Sequence, residues 1–513
     1  MQPLILNGQP LTIAEVLQVA RTYRLIKIGP QAMERMVKAR NLVERLIVDD
    51  AAYYGINTGF GSLSRVRIHP EQLNELQHNL LRSHSVGVGE LLPVEAVRAM
   101  LLLTAASLAR GYSGVRPVLA ERLCDLLNAR IHPCIPSRGS VGASGDLAPL
   151  AHMALALIGE GRVLAVPEEA SRAPEQIGAA FSQPAVEALA QAGLTPLVLE
   201  PKEGLALING THLMTAYGAL LIHDAAILFR AAELAAAMSL EAALGTATHL
   251  DPRLHAVRPQ QGQATVAARL RELIAGSEIL TSHPNCGRVQ DPYSLRCTPQ
   301  VLGAIADGLV FARSLVEREL GAVTDNPLCF PDDRLVLSGG NFHGQPLALA
   351  LDVLGIALTQ LASFSERRTY LLVSASDPAM NLPPFLTAQS GLQSGLMMVQ
   401  YVAAALVNEC QGMAAPASVN SIPTSAGMED FVSMGATAAF KAARILENTR
   451  RVVTIELLCA AQGLEFQRPL RAGAGVEQAY ARIRAVVPAI DHDRVLSDDI
   501  AALSELIQAG GLE

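Results

Sequence analysis

The sequence has no Cys-x-x-Cys pair, no run of like charge and no basic leader, and each absence removes a class of function. Its seven cysteines (124, 134, 286, 297, 329, 410 and 459) are scattered and odd in number, so neither a disulfide framework nor a zinc site is indicated. His283 and Cys286 come nearest to a metal-binding pair, but structural zinc takes four well-spaced ligands, and no metal is expected. Lys and Arg number 40 against 48 Asp and Glu, a net charge of -8 with no basic stripe. Nucleic acid and anionic membrane surfaces are therefore not expected partners. The opening stretch MQPLILNGQPLTIAEVLQVARTYR lacks both a basic start and an unbroken apolar run before a cleavage site, which reads as a cytoplasmic protein.

What is present is length and apolar content. A chain of 513 residues that is 50% apolar can bury a large core and divide into two or more lobes. No proline falls between Pro201 and Pro252, and the Ala/Leu-rich segment between them reads as helix enclosed by other helices. Residues 204–222 are uncharged but carry Asn209, Thr211, His212 and Thr215 and run into His223, Asp224 and Arg230. That pattern suits a buried helix rather than a membrane span. Over 436–466, Leu446, Val453, Leu457, Ala460 and Leu464 form one stripe and Lys441, Arg444, Asn448 and Arg451 another, predicting an amphipathic helix of several turns. Strand signals are short, as in 195–201 and 334–340. The expected class is mainly α: a long central helix bundle (204–513) with a smaller mixed N-terminal lobe (1–203). Residues 164–200, richer in Pro, Glu, Ala and Gln, suggest a peripheral excursion between them.

The run Gly142-Ala143-Ser144-Gly145, followed by Asp146, is almost free of side chains. A turn with Asp146 as N-cap of the next helix would account for it. A nucleophile elbow would need glycine at 146 and a preceding strand. A phosphate cradle would need the Lys-Ser/Thr that is absent here. The remaining explanation is backbone chemistry. Within GSVGASGDLAPL, Ala143-Ser144-Gly145 resembles the cyclising triad of the histidine/phenylalanine/tyrosine ammonia-lyases. The resemblance continues in order through 54–64 (YGINTGFGSLS), 79–93, 202–211 (KEGLALINGT), 287–297 (GRVQDPYSLRC), 323–328, 338–346 (SGGNFHGQP), 382–386, 391–395 and 416–435. It spans roughly residues 10 to 465.

Several expectations follow from that resemblance. The fold would be of the ammonia-lyase/fumarase type. The amide nitrogen of Gly145 would attack the carbonyl of Ala143, and loss of two waters would leave a methylidene-imidazolone (MIO), with no metal or nucleotide cofactor. The exocyclic methylene would add to the amino acid substrate, at its amino group or its ring. Tyr54 would take the β-proton, which requires its phenolate to be stabilised below the ordinary value near 10. Asn209 would bond the MIO oxygen or the substrate. Tyr293 and Arg296 would complete the catalytic set, the arginine fork suiting the substrate carboxylate, and Gln290 and Phe342 would line the pocket. The family is tetrameric with each site built from three chains, implying a homotetramer.

Substrate choice turns on few positions. Ser83-His84 resembles the histidine enzymes, although some tyrosine lyases carry the same pair. Glu409, a carboxylate on an otherwise apolar helix, is aligned with the glutamate that faces the substrate imidazole; a simple pair with a basic neighbour is its alternative. His212, Ala415, Met428 and Phe431 stand where Gln, His, Gln and His are common. The expected reaction is L-histidine to urocanate and ammonia. A tyrosine or other aromatic ammonia-lyase, an aromatic aminomutase and a catalytically silent scaffold remain as alternatives.

Overall fold

The computed structural model describes residues 1–49, 51–165, 182–284 and 287–512. Cys286 and residues 166–181 of the expected 164–200 excursion lie outside the described residues. The protein is mainly α, and its contacts divide it into two compact units.

The first unit comprises residues 1–220, 313–351 and 417–439. It holds every β-ladder among the described residues, all of them short. Leu4–Leu6 pairs parallel with Ile26–Ile28; Val88–Leu91 pairs antiparallel with Pro136–Arg138. Arg162–Ala165 lies between Ile131–Pro133 and Ser182–Pro184, and Leu328–Phe330 pairs with Leu335–Leu337, within the strand expected at 334–340. The strand expected at 195–201 does not form. Its backbone bonds singly to scattered groups, Leu199 N–H to His78 Nε2 and Leu197 N–H to Leu157 O, and no neighbouring strand offers a ladder. The helix Val94–Ala109 has all but one of its side chains buried, which makes it the centre of this unit's core.

The second unit comprises residues 221–312, 352–416 and 440–513 and is helical. Three long helices, His212–Ala242, Gln345–Ser374 and Gly435–Gln467, contribute residues to both units. In the last, the expected stripe of Leu446, Val453, Leu457, Ala460 and Leu464 is buried, each at 5% exposure or less. Asn448, assigned to the polar stripe, is buried as well. The helix is enclosed beyond the face that its apolar residues define, so periodicity alone could not place Asn448.

The uncharged segment 204–222 is buried as expected, but it is not one helix. Glu203–Ile208 ends at Asn209, and His212 begins the next helix. Among the described residues, two helices are long and apolar enough to cross a membrane by length and composition, Thr298–Glu319 and Gln345–Ser374. In the second, 67% of the apolar window is buried within the protein, and Glu366 and Arg368 stand inside the helix, which marks a core helix rather than a lipid-facing one.

Candidate active site

The small-residue run sits at the meeting of three segments of the first unit. Gly145 forms a parallel bridge with Gly210. Gly210 N–H donates to Ser144 O at 3.3 Å, and Asp146 N–H donates to Gly210 O at 2.7 Å. Ser433 N–H and Met434 N–H donate to Gly142 O and Val141 O. Gly142 and Gly145 adopt φ of +67° and +72°, where a Cβ is strained. A Cβ at Gly145 would also fall well inside contact distance of the Gly210 carbonyl. Gly145 is therefore required by close backbone approach, and Gly142 by its positive φ and the Ser433 side chain packed against it.

Asp146 does precede the helix Leu147–Leu155, but its side chain makes no cap bond there. Its Oδ2 accepts from Leu213 N–H and Met214 N–H, both at 3.0 Å, and so caps the helix that begins at His212. Oδ1 accepts from Ser140 Oγ at 3.0 Å. The carboxyl is raised to about 7, burial outweighing the opposing bonds from Met214, Ser140 and Leu213. Asp146→Ala strands two buried N–H donors and removes a cap, so a loss of about 2–4 kcal/mol is expected. Thermal unfolding should show a midpoint several degrees lower, with Asp146→Asn recovering part of it because its one amide oxygen can still accept.

Beside this crossing lies a cavity of about 890 Å³. Seven of the residues singled out from the sequence line it: Tyr54, Ser83, His84, Ala143, Ser144, Asn209 and Phe342. Tyr54 Oη accepts from Gly61 N–H at 3.3 Å. His84 Nδ1 lies 2.9 Å from Leu80 O; a carbonyl can only accept, so Nδ1 carries the proton and Nε2 remains an acceptor. Burial lowers the His84 pKa and favours this neutral ring. Asn209 donates from Nδ2 to Asn326 O at 3.2 Å, leaving its buried Oδ1 without a partner.

The pocket also contains Met428 and Phe431, noted as departures in the sequence, and residues that the sequence reading did not select, Glu429 and His343 among them. Glu429 Oε1 accepts from Ser144 Oγ at 3.1 Å, and Oε2 accepts from Thr424 Oγ1 at 2.8 Å. His343 stacks on Phe431, with 6.0 Å between centroids and 17° between planes. Met428, Leu76, Leu80, Val66 and Ile68 make much of the remaining wall apolar.

Gln290, Tyr293, Arg296 and Glu409 do not line this cavity; they belong to the second unit. Tyr293 is 69% exposed, and the Arg296 guanidinium lies 4.6 Å from its ring centroid. Arg296 Nε is buried without a partner. Glu409 pairs with Arg444 at 3.0 Å on the surface of the protomer, not in its core.

The profile of the family described as aromatic amino acid lyase matches residues 11–485. The chain belongs to the aromatic amino acid lyase family. It is 51% identical over 515 residues to a histidine ammonia-lyase of Anaeromyxobacter sp. (strain K), covering 100% of both chains. Among solved structures it is similar to histidine ammonia-lyase from Trypanosoma cruzi, with a TM-score of 0.89 and 40% identity over 100% of this chain and 94% of the other. It is also similar to tyrosine aminomutase from Streptomyces globisporus, with a TM-score of 0.91 and 35% identity over 99% and 97%.

For a member of the aromatic amino acid lyases, the electrostatics at Tyr54 run against the sequence expectation. Burial raises its pKa, Glu429 and Asp325 raise it further, and only the Gly61 N–H acts the other way. Within the protomer nothing favours the phenolate enough to offset these. Glu429 could have been found from sequence: it stands between Met428 and Phe431, both noted as departures, and an acid inside such a stretch is a site signal.

Proposed function

We propose that the chain is a histidine ammonia-lyase that converts L-histidine to urocanate and ammonia, with sites shared between copies of the chain. The observation that carries this reading is the pairing, within one largely apolar pocket, of a neutral His84 that presents an acceptor nitrogen with the carboxylate of Glu429. A protonated imidazole side chain has two ring N–H groups for which both are partners; a phenyl ring would leave both unsatisfied, at about 1–3 kcal/mol each.

The triad fits the methylidene-imidazolone of this family. Gly145 is packed where no Cβ has room, and the unpartnered Asn209 Oδ1 calls for a donor in the pocket. The MIO group would be made from Ala143, Ser144 and Gly145, and it supplies an electrophilic carbon that binds the substrate and turns ammonia into a better leaving group. Asn209 Oδ1 accepts from the substrate ammonium. Tyr54 removes the β-proton once the cationic substrate has offset the carboxylates that hold its phenol protonated. Phe342 closes the pocket wall.

One requirement is unmet within the protomer. Among the described residues the lining includes Glu429 and Asp430 but no lysine or arginine, so none of them offers the substrate carboxylate a cation. Arg296, with Tyr293 and Gln290, supplies that partner from a second copy. Exposed apolar side chains such as Met398 and Tyr401, both 59% exposed, and Val402 support association of copies, in the homotetramer that the family implies. The reaction takes place in the cytoplasm, and the substrate is the only small-molecule partner required.

The test is a spectrophotometric comparison of L-histidine, L-tyrosine and L-phenylalanine, following each conjugated acid product. Turnover of histidine at more than about a hundredfold the kcat/KM of the others is expected, as befits a site built around polar partners. Preference for tyrosine or phenylalanine would overturn the histidine assignment and point to Met428 and Phe431 as the residues that set the pocket. A β-amino acid product would point to an aminomutase.

A further inference from the structure

Asn209 is held by one end only. Its amide nitrogen is bonded to Asn326 O at 3.2 Å, and its oxygen is buried and unpartnered. An amide can turn over by exchanging O and N, and the role proposed for it needs the oxygen toward the substrate. The orientation therefore depends on what fixes the Asn326 carbonyl and the backbone of residue 209.

Both trace to one buried ion pair. Lys202, at 0% side-chain exposure, meets Asp325, at 3%, with Nζ to Oδ2 at 2.6 Å. Asp325 Oδ1 accepts from Asn326 N–H at 2.7 Å, and Asn326 Oδ1 accepts from Gly339 N–H at 2.8 Å. Asn326, whose carbonyl meets Asn209, is thus held at both its backbone N–H and its side chain. On the other side, Lys202 is the N-cap of the six-residue helix Glu203–Ile208, whose C-cap is Asn209. Lys202 is itself steadied by Arg40 Nη1, which donates to Pro201 O at 3.0 Å. A closed circuit results: Lys202, one short helix, Asn209, Asn326, Asp325, and back to Lys202.

Removing a lysine and an aspartate from water is costly, and such pairs are often replaceable by apolar residues with no loss of stability. Stability alone does not explain this one. We infer that Lys202 and Asp325 are positioning residues that set the orientation of the Asn209 amide in the active site, an inference that rests on the ammonia-lyase reading of the pocket. Neither side chain lines the cavity, so neither touches substrate; Asp325 also raises the Tyr54 pKa, an influence that does not pass through Asn209 and would add to its loss.

The experiment is a mutant cycle on the full-length enzyme with histidine as substrate, using Lys202→Met/Asp325→Asn, Asn209→Ala and their combination. Replacing both members of the pair leaves no lone buried charge. The neutralised pair is expected to keep its thermal midpoint and its mass deficit of two waters while kcat falls about ten- to a hundredfold, the scale of a misplacement of about 1 Å. Adding Asn209→Ala should cost little more, since the two changes chiefly disable one group. Unchanged kcat in the neutralised pair, or losses that add fully with Asn209→Ala, overturns the inference. If Asn209→Ala itself leaves kcat untouched, the assignment of Asn209 to the site has failed instead. Should the neutralised pair not fold, Lys202→Arg keeps a buried cation but displaces the contact. The same non-additivity with Asn209→Ala is then expected, and full additivity again overturns the inference.

Discussion

Ser144→Ala is expected to leave the fold intact and reduce turnover at least about a thousandfold, some 4 kcal/mol of activation free energy. The hydroxyl contributes one packing atom and a single hydrogen bond, to Glu429 Oε1 at 3.1 Å, worth about 1.5–3 kcal/mol at most because the acceptor is charged. That is too little to unfold a chain with a core of this size. Its chemical contribution has no substitute: without that oxygen, no second water can leave and no methylidene carbon can form. Intact mass reads the outcome directly. The wild-type chain should be lighter than its sequence by two waters, and the variant should not lose the water that would have come from Ser144. Undiminished activity in the variant, or an unmodified mass in an active wild-type sample, would sink the assignment of residues 143–145.

Glu429→Gln carries the second largest effect and separates two carboxylates. Glu429 is half-buried in the pocket, and one of its oxygens is occupied by the Ser144 hydroxyl. The proposed ring formation would remove that hydroxyl and free Oε1 as the site becomes competent to take substrate. A neutral amide there still accepts one hydrogen bond but loses the charge-assisted part. A fall in kcat/KM for histidine of about a hundredfold is expected, or about 2.7 kcal/mol. Glu409→Gln removes only an exposed pair with Arg444, of the kind that contributes about 0–1 kcal/mol, and should leave kcat/KM within about twofold. Steady-state kinetics on the two variants decides the matter: a large loss at Glu409 with none at Glu429 would return the imidazole-facing role to the residue first chosen from sequence.

The sequence made the class of fold and the first-unit half of the site legible because the signals were local. A proline-free Ala/Leu segment and a long amphipathic stripe announce helices, and contiguous motifs around Tyr54, His84, Ser144 and Asn209 announce chemistry. What it hid depended on distance along the chain. Asp146 looked like the cap of its own helix, yet its carboxylate faces the amides of residues 213 and 214; only the tertiary crossing decides between two helices that both begin nearby. The break in 204–222 was equally hidden, since Asn209-Gly210-Thr211 reads as tolerable helix until Gly210 is seen bridged to Gly145. Glu409 and Glu429 were indistinguishable in kind, each an acid amid apolar neighbours. Which of them reaches the pocket is a matter of packing.

The bracket around residues 143–145 has a bearing on when the chain can mature. Its contacts come from far away in the sequence: Asp146 to Leu213 spans 67 residues, Ser144 to Glu429 spans 285, and Ser433 to Gly142 spans 291. Contacts of such separation form late, after the loop-closure entropy between the segments has been overcome. A nascent peptide that ends shortly after Gly145 has none of them, and its backbone there is free to stay extended. On the proposed reading, the covalent change would be withheld until synthesis has passed residue 433 and the segments have met, so the mass of each chain would record whether it has folded.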